Sequence, residues 1–190
     1  MVAAHSKVRV PFAEYLAIDA RSDAKHEYID GVVYAMSGGS PEHARLAMAI
    51  GLELGAQLRG KRCAVYSSDL RVRVMATGLA SYPDITIVCG KLELDPENDH
   101  TVTNPAAIIE VSSPSTERYD RETKYAHYRQ IVSLRTYVLV SQDERLVEVF
   151  TRNTDGTWTL RDVRHGEAKL DEIECTLDID AIYRDPLAAP

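Results

Sequence analysis

Apolar residues recur at helical spacing over residues 41–58, where Leu46, Ile50, Leu54 and Leu58, with Ala47, would line one face of a helix. Gly38-Gly39-Ser40 breaks the chain just before it, and His43 falls in the helix's first turn. A shorter helix is expected over residues 11–20, opened by Pro11 and carrying Phe12, Tyr15, Leu16 and Ile18. The rhythm then changes. Glu27-Tyr28-Ile29 and Val32-Val33-Tyr34 flank Asp30-Gly31, a dipeptide that accepts positive φ at both central turn positions, so a hairpin is expected with Glu27 on its first strand.

Short β-rich runs follow at residues 64–66, 70–75 and 85–89. Residues 92–103 read as a loop, and the cluster Asp95-Pro96-Glu97-Asn98-Asp99 reads as a solvated turn, since it lacks the glycine and terminal glutamate of a calcium loop. An apolar strand with Ile108, Ile109, Glu110 and Val111 comes next, then a helix over residues 117–132. Strands at 137–140, 146–151 and 157–163 close the pattern, with Asn153-Thr154-Asp155-Gly156 marking the last hairpin. Strands, a crossover helix and further strands imply an α/β fold, a mixed β-sheet core flanked by helices. The 190 residues suffice for one sizeable core, so residues 1–190 are expected to form one domain.

Composition narrows the function. A net charge of -7 and a pI near 5.4 exclude a surface that grips a phosphate backbone all over, so nucleic-acid contact must be local. Arg59, Lys61, Arg62, Arg71 and Arg73 form the densest basic region, and alternating Arg71 and Arg73 also fit the solvated face of a strand. The apolar runs are far shorter than the roughly 20 residues that span a bilayer, and the N-terminus lacks a basic-then-apolar signal pattern. No membrane association and a cytoplasmic location are therefore expected. Cys63, Cys89 and Cys175 are widely spaced, which suggests separate thiols rather than a disulfide framework or a zinc site. Nucleotide-loop, nucleophile-elbow and His-Glu-x-x-His patterns are absent, which removes the common NTPase, hydrolase and protease readings.

The chemistry concentrates between Tyr82 and Tyr128. Asp84 stands in Tyr82-Pro83-Asp84-Ile85, Glu110 in Ile108-Ile109-Glu110-Val111-Ser112, and Lys124 in Asp120-Arg121-Glu122-Thr123-Lys124. A carboxylate among such neighbours requires compensation for its desolvation, and a divalent cation supplies it. Strand alternation puts Glu110 on the face of Ile108 and Ser112, away from Ile109 and Val111. If the Asp84 strand is adjacent, the two acids converge, and hard oxygen donors favour Mg²⁺ or Mn²⁺. Asp120, Lys124 and Tyr128 share one helical face; that spacing equally describes an ordinary solvated Asp-Lys pair with Tyr128 as packing. Glu27 and His43 lie far upstream, where a cross-strand ion pair and a surface imidazole are the alternatives to a role in the site. His5, His26, His100, His127 and His165 have no companion pattern.

The order Pro83-Asp84, then Glu110 on an apolar strand, then a lysine resembles the PD-(D/E)XK nuclease superfamily. Ser112 stands where that pattern expects its lysine. With Ser113-Pro114-Ser115-Thr116, Asp120, Lys124 and Tyr128 following, the departure resembles the Uma-two branch of bacterial restriction-endonuclease-like proteins, in which the lysine has moved to the next helix. The likeness spans nearly the whole chain. It implies a restriction-endonuclease-like fold and a DNA-cutting enzyme using Mg²⁺ or Mn²⁺ held by Asp84, Glu110 and the Val111 carbonyl. Lys124 would position water, Glu27 would assist the metal shell as a first-helix acid does in relatives, and His43 would shuttle a proton or touch phosphate. A homodimer is expected, because nucleases that cut both strands pair two sites by two-fold symmetry. The rival readings are a nuclease-like fold used for binding or assembly without turnover, and a metal-dependent hydrolase of a small phosphoester.

Overall fold

The computed structural model of the chain describes residues 9–185 and Leu187; the ends of the expected 1–190 unit, His5 among them, lie outside the described residues. Helix α1 (Phe12–Asp19) starts directly after Pro11. The Asp30-Gly31 turn takes positive φ at both residues, 50° and 86°, and joins β1 (His26–Ile29) to β2 (Val32–Ala35) without a bulge. Helix α2 (Pro41–Leu58) keeps its expected bounds. The Ser40 hydroxyl accepts from the His43 N–H at 3.1 Å and satisfies a donor the helix leaves orphaned, while Leu46, Ile50, Leu54 and Leu58 are buried.

The remaining strands are β3 (Cys63–Ser67), β4 (Arg71–Arg73), β5 (Ala80–Ser81), β6 (Ile85–Cys89), β7 (Leu94–Asp95), β8 (Asn98–Val102), β9 (Ala107–Ser112), β10 (Thr136–Ser141), β11 (Val147–Arg152), β12 (Trp158–Val163), β13 (Glu167–Leu170) and β14 (Cys175–Asp178). One sheet runs β2-β1-β5-β4-β8-β7 and the other β12-β11-β10-β9-β6-β3. In the second, β9 and β10 are parallel and the other pairings antiparallel, the mixed α/β sheet expected from the sequence. Parallel neighbours require a crossover. It is supplied by a π-helical turn, Tyr119–Lys124, running into α3 (Tyr125–Tyr128). One face of this sheet, bearing Ile85, Ile109 and Val138, packs on α2, the β13–β14 hairpin and α4 (Ile179–Ile182). The other, bearing Ile108 and Tyr137, packs on Tyr128, Leu134 and the Val72, Leu79 and Val102 side chains.

Several expectations are corrected. Residues 92–103 hold the β7–β8 hairpin rather than a loop, because Asp95 is buried against Arg73 at 2.8 Å and β8 pairs with β4. A buried partner from elsewhere in the chain thus overrides a polar local composition. Arg71 and Arg73 are not a solvated face: Arg71 is buried against Asp19 at 2.5 Å and Tyr82 at 2.6 Å, and Arg73 also holds Glu97 at 2.8 Å. The Asn153–Gly156 turn is followed by one more hairpin, β13–β14, and the helix expected over 117–132 starts at Glu117 but ends at Tyr128.

The cysteines are the sharpest correction. Cys63 and Cys89 are cross-strand partners on β3 and β6 and form a disulfide, while Cys175 is free and buried. The Gly90 N–H donates to Arg62 O at 2.7 Å just outside the pair, so the two cysteines occupy the close, non-hydrogen-bonded kind of position, with Cα atoms 4.0 Å apart. A disulfide is unusual in the reducing cytoplasm expected from composition. Thiol titration of the denatured, unreduced protein is expected to find one free thiol per chain, not three. Replacing Cys63 and Cys89 by serine is expected to lower unfolding free energy by roughly 3 kcal/mol on chain-entropy grounds, readable by urea denaturation.

Candidate active site

The site begins where β6 and β9 part. The last β6–β9 pair at that end is Ile85 with Ile109, so the antiparallel register places Asp84 opposite Glu110 one step further on. Asp84 Oδ2 accepts the Val111 N–H at 2.8 Å, and the Asp84 N–H points at Glu110 Oε2 at 3.4 Å. The carboxylates therefore meet at the open end of two strands. Val111 projects its N–H to this edge and, by strand geometry, its carbonyl too.

Lys124 enters from the crossover. Its Nζ lies 3.1 Å from Glu110 Oε1, 3.2 Å from Glu27 Oε1 and 3.2 Å from Asp120 Oδ1, and all four groups are buried. The π-helical turn makes this possible. With the Tyr125 N–H donating to Asp120 O five residues back, positions four and five before Lys124 both face inward. Tyr119 thus comes to the site beside Asp120: its hydroxyl donates to Glu27 Oε2 at 2.8 Å and its ring lies 5.5 Å from the ammonium. An α-helical reading gives position 119 no place on the Lys124 face, so the sequence carried no signal for it. Tyr128, expected only to pack, also donates to Glu110 Oε1 at 3.1 Å and shares a hydrogen bond with Ser81 at 2.8 Å.

The two distant candidates join the same cleft. Glu27, on β1, is set by its neighbour His26, whose N–H donates to Asp19 at 2.8 Å within the Asp19–Arg71–Tyr82 network that also fixes the chain leading into Asp84. His43 projects from the first turn of α2, with Nε2 3.2 Å from Asp84 Oδ2. A Cβ on Gly39 would come within 2.5 Å of His43 Nδ1, so the glycine is what lets the imidazole sit there. Together Glu27, His43, Asp84, Glu110, Val111, Asp120 and Lys124 line a cleft of about 320 Å³.

Its electrostatics are unbalanced. Four carboxylates face one ammonium and one imidazole. Burial pushes Glu110 up to about 8, Lys124 opposing the shift and Asp84, Asp120 and Glu27 adding to it. Burial likewise raises Asp120. Burial disfavours the Lys124 ammonium, but Glu110, Glu27 and Asp120 outweigh it and hold the group well above the ordinary lysine value. The Asp84 carboxylate raises His43 above the usual imidazole value against the effect of burial. Glu27 Oε1 is buried with only the ionic contact to Lys124 and no hydrogen bond. Among the described residues no three histidine, cysteine or acidic side chains converge to cage an ion by themselves; the ammonium occupies the point where Glu27, Glu110 and Asp120 meet. Asp84, Glu110 and Val111 border the same cleft.

This mixed sheet, with acids at a strand end and a lysine on the crossover, has the restriction-endonuclease-like fold. It superposes on a crystal structure from Anabaena variabilis described as "a putative nuclease belonging to DUF820", with a TM-score of 0.72 over 90% of this chain and 96% of that one, at 13% identity. The chain belongs to the Uma2 family, described as "Putative restriction endonuclease", whose sequence model matches residues 12–180. Relatives include two uncharacterized proteins of Synechocystis, one 33% identical over 90% of each chain and the other 28% identical over 90% of this chain and 96% of its own. No helix among the described residues is long and apolar enough to cross a membrane.

Two measurements probe the site without turnover. An acid whose folded pKa is raised makes the folded state bind the extra proton, so stability falls as pH rises from the unfolded value, about 4.5, through the folded one, about 8. In EDTA, Glu110→Gln is therefore expected to melt above the native protein, the gap opening across that window and complete above it. For His43 the sign is opposite. Its raised folded pKa adds stability that is full below about 6.5 and lost as pH rises through the folded value. NMR titration is expected to find His43 above about 6.5 and to see it fall in Gly39→Ala, which drives the ring off Asp84.

Proposed function

We propose that the protein is a metal-dependent nuclease hydrolysing DNA phosphodiester bonds by in-line attack of water, with the cleft between β6, β9 and the crossover as its active site. The observation that carries this is the convergence of four acids on one ammonium and one imidazole: Glu27, Glu110 and Asp120, all buried, and the half-buried Asp84 stand around Lys124 and His43, and burial raises Glu110 and Asp120 for want of compensating positive charge. A fold keeps such an excess at a cost, and a divalent cation compensates it. Asp84, Glu110 and the Val111 carbonyl would hold Mg²⁺ or Mn²⁺, since two carboxylates, a carbonyl and remaining waters suit an ion that dehydrates reluctantly. When bound, the ion supplies charge neutralisation at the phosphate and a lowered water pKa.

The chain's own groups do the rest. Lys124, held charged by three acids, orients the attacking water or steadies charge on the phosphate. Glu27 and Asp120 fix the ammonium, and Tyr128 and Val111 fix the two carboxylates from the protein side. His43 lies on Asp84 at the mouth of the cleft, positioned to take or return a proton. A cation at the site also removes the repulsion between an acidic chain and DNA. The basic segment contributes less than its composition suggests, because Arg71 and Arg73 are already paired with acids. Two copies of the chain would present two such sites to opposite strands.

The native chain is expected to cleave DNA with Mg²⁺ or Mn²⁺ and not in EDTA. Lys124→Gln is expected to lower the rate by about 10²-fold. Calorimetry with Mn²⁺ should at the same time show tighter binding, because Glu27, Glu110 and Asp120 lose the ammonium that competes for them. Cleavage by Lys124→Gln at the native rate, or Mn²⁺ binding unchanged by Glu110→Ala, would refute the assignment. Metal binding without any cleavage of DNA, but with hydrolysis of a small phosphodiester, would move the protein to the small-phosphoester class.

A further inference from the structure

Beside the cleft lies a second pocket, of about 450 Å³, lined by Ile29, Tyr34, Thr116, Arg118, Tyr119 and Thr123 among others. Its lining combines Ile29, Tyr34 and Tyr119 with hydroxyls, Arg118 and the acids Glu27 and Glu122, and contains none of Asp84, Glu110 or Lys124. The two cavities are nevertheless contiguous, for Glu27, Ser115, Thr116 and Tyr119 line both. Tyr119, whose hydroxyl donates to Glu27, lines both cavities, and Tyr34 from β2 lines the second with it.

We propose that this pocket is a subsite for one unstacked nucleobase, that of the nucleotide next to the phosphate held in the cleft; the inference rests on the nuclease reading and adds the form of its substrate. A phosphate at the acids and Lys124 would place the base of the adjoining nucleotide one sugar away, on the side where the two cavities share Glu27, Ser115, Thr116 and Tyr119 as a common wall. The lining matches that occupant. Tyr34 and Tyr119 supply aromatic surface and Ile29 an aliphatic one, and bases stack on such platforms with little regard to sequence. The Ser115, Thr116 and Thr123 hydroxyls act as donor or acceptor as required, so they accept the polar edge of any base. Arg118 is exposed at the rim, paired with Glu122 at 3.0 Å and free to turn a donor to the sugar-phosphate chain. A base seated there cannot remain in a duplex stack. The preferred substrate is therefore a single strand, or an end or mismatch where unstacking costs little.

The test compares two fluorescein-labelled DNA hexamers of equal charge by anisotropy, one with adenine at every position and one with abasic tetrahydrofuran residues. The full-length protein is used with Ca²⁺ at fixed low salt. The adenine hexamer is expected to bind roughly five- to a hundredfold more tightly. Tyr34→Ala is expected to erase that difference while leaving the abasic affinity unchanged, and Tyr34→Phe, which keeps the ring, to preserve it. Competition by an unlabelled single strand is expected to exceed that by the blunt duplex of the same sequence. Equal binding of the two hexamers by the native protein overturns the base subsite and leaves the nuclease reading standing. Binding of neither hexamer overturns both, and a difference that survives Tyr34→Ala places the base elsewhere.

Discussion

A single ammonium, that of Lys124, sits where the carboxylates of Glu27, Glu110 and Asp120 converge, and the surrounding architecture is arranged around that point. Each acid comes from a different element: Glu27 from β1, Glu110 from β9 and Asp120 from the crossover turn. Removing the cation would leave three buried carboxylates facing one another in a medium that solvates them poorly. The ion cluster therefore ties the smaller sheet, the central sheet and the crossover helix to one geometry. It does so without matching every acid, since Glu27, Asp84, Glu110 and Asp120 outnumber Lys124 and His43.

The supporting shell follows from this requirement. The π-helical turn exists in a segment with no proline or glycine, and its effect is to bring Tyr119 and Asp120 to the same side as Lys124. The Asp19–Arg71–Tyr82 network, in which Tyr82 donates to Asp19 at 2.5 Å, lies directly behind Glu27 and Asp84 and locks the strands that carry them. Gly39 and Ser40 set His43 from the other side, one by leaving room and the other by capping α2. Arginines that composition would assign to phosphate are spent on structure. Arg71 and Lys124, the Lys and Arg side chains buried among the described residues, are both paired with acids inside the fold.

The nuclease reading and the base pocket depend on the same geometry from two directions. The cleft end of β6 and β9 presents the Asp84 and Glu110 oxygens, and Tyr119 lines both that cleft and the pocket beside it. Tyr119 donates its hydroxyl to Glu27 and lines both cavities, so under the two proposals one residue would serve both site chemistry and substrate form.

Much of the local structure was legible in the sequence because it depends on short-range physics. The Leu46-Ile50-Leu54-Leu58 stripe, the Asp30-Gly31 turn and the alternation that separates Glu110 from Ile109 and Val111 are each dictated by the period of a helix or strand or by the φ a turn needs. Asp84, Glu110 and Lys124 were visible as charged groups beside or within apolar segments, and the family pattern added Glu27 and His43. What tertiary structure alone decided were pairings over long separations. Cys63 and Cys89 became bonded because β3 meets β6 in a register that no spacing rule reveals, and residues 92–103 became a hairpin because Arg73 gave Asp95 a buried partner. Tyr119 reached the site because the crossover adopts a π-helical turn, whose five-residue hydrogen bonds moved it to a face that α-helical counting assigns elsewhere. Local periodicity fixes which way a side chain points within its own element; which other charge it meets there is fixed only when the sheets close.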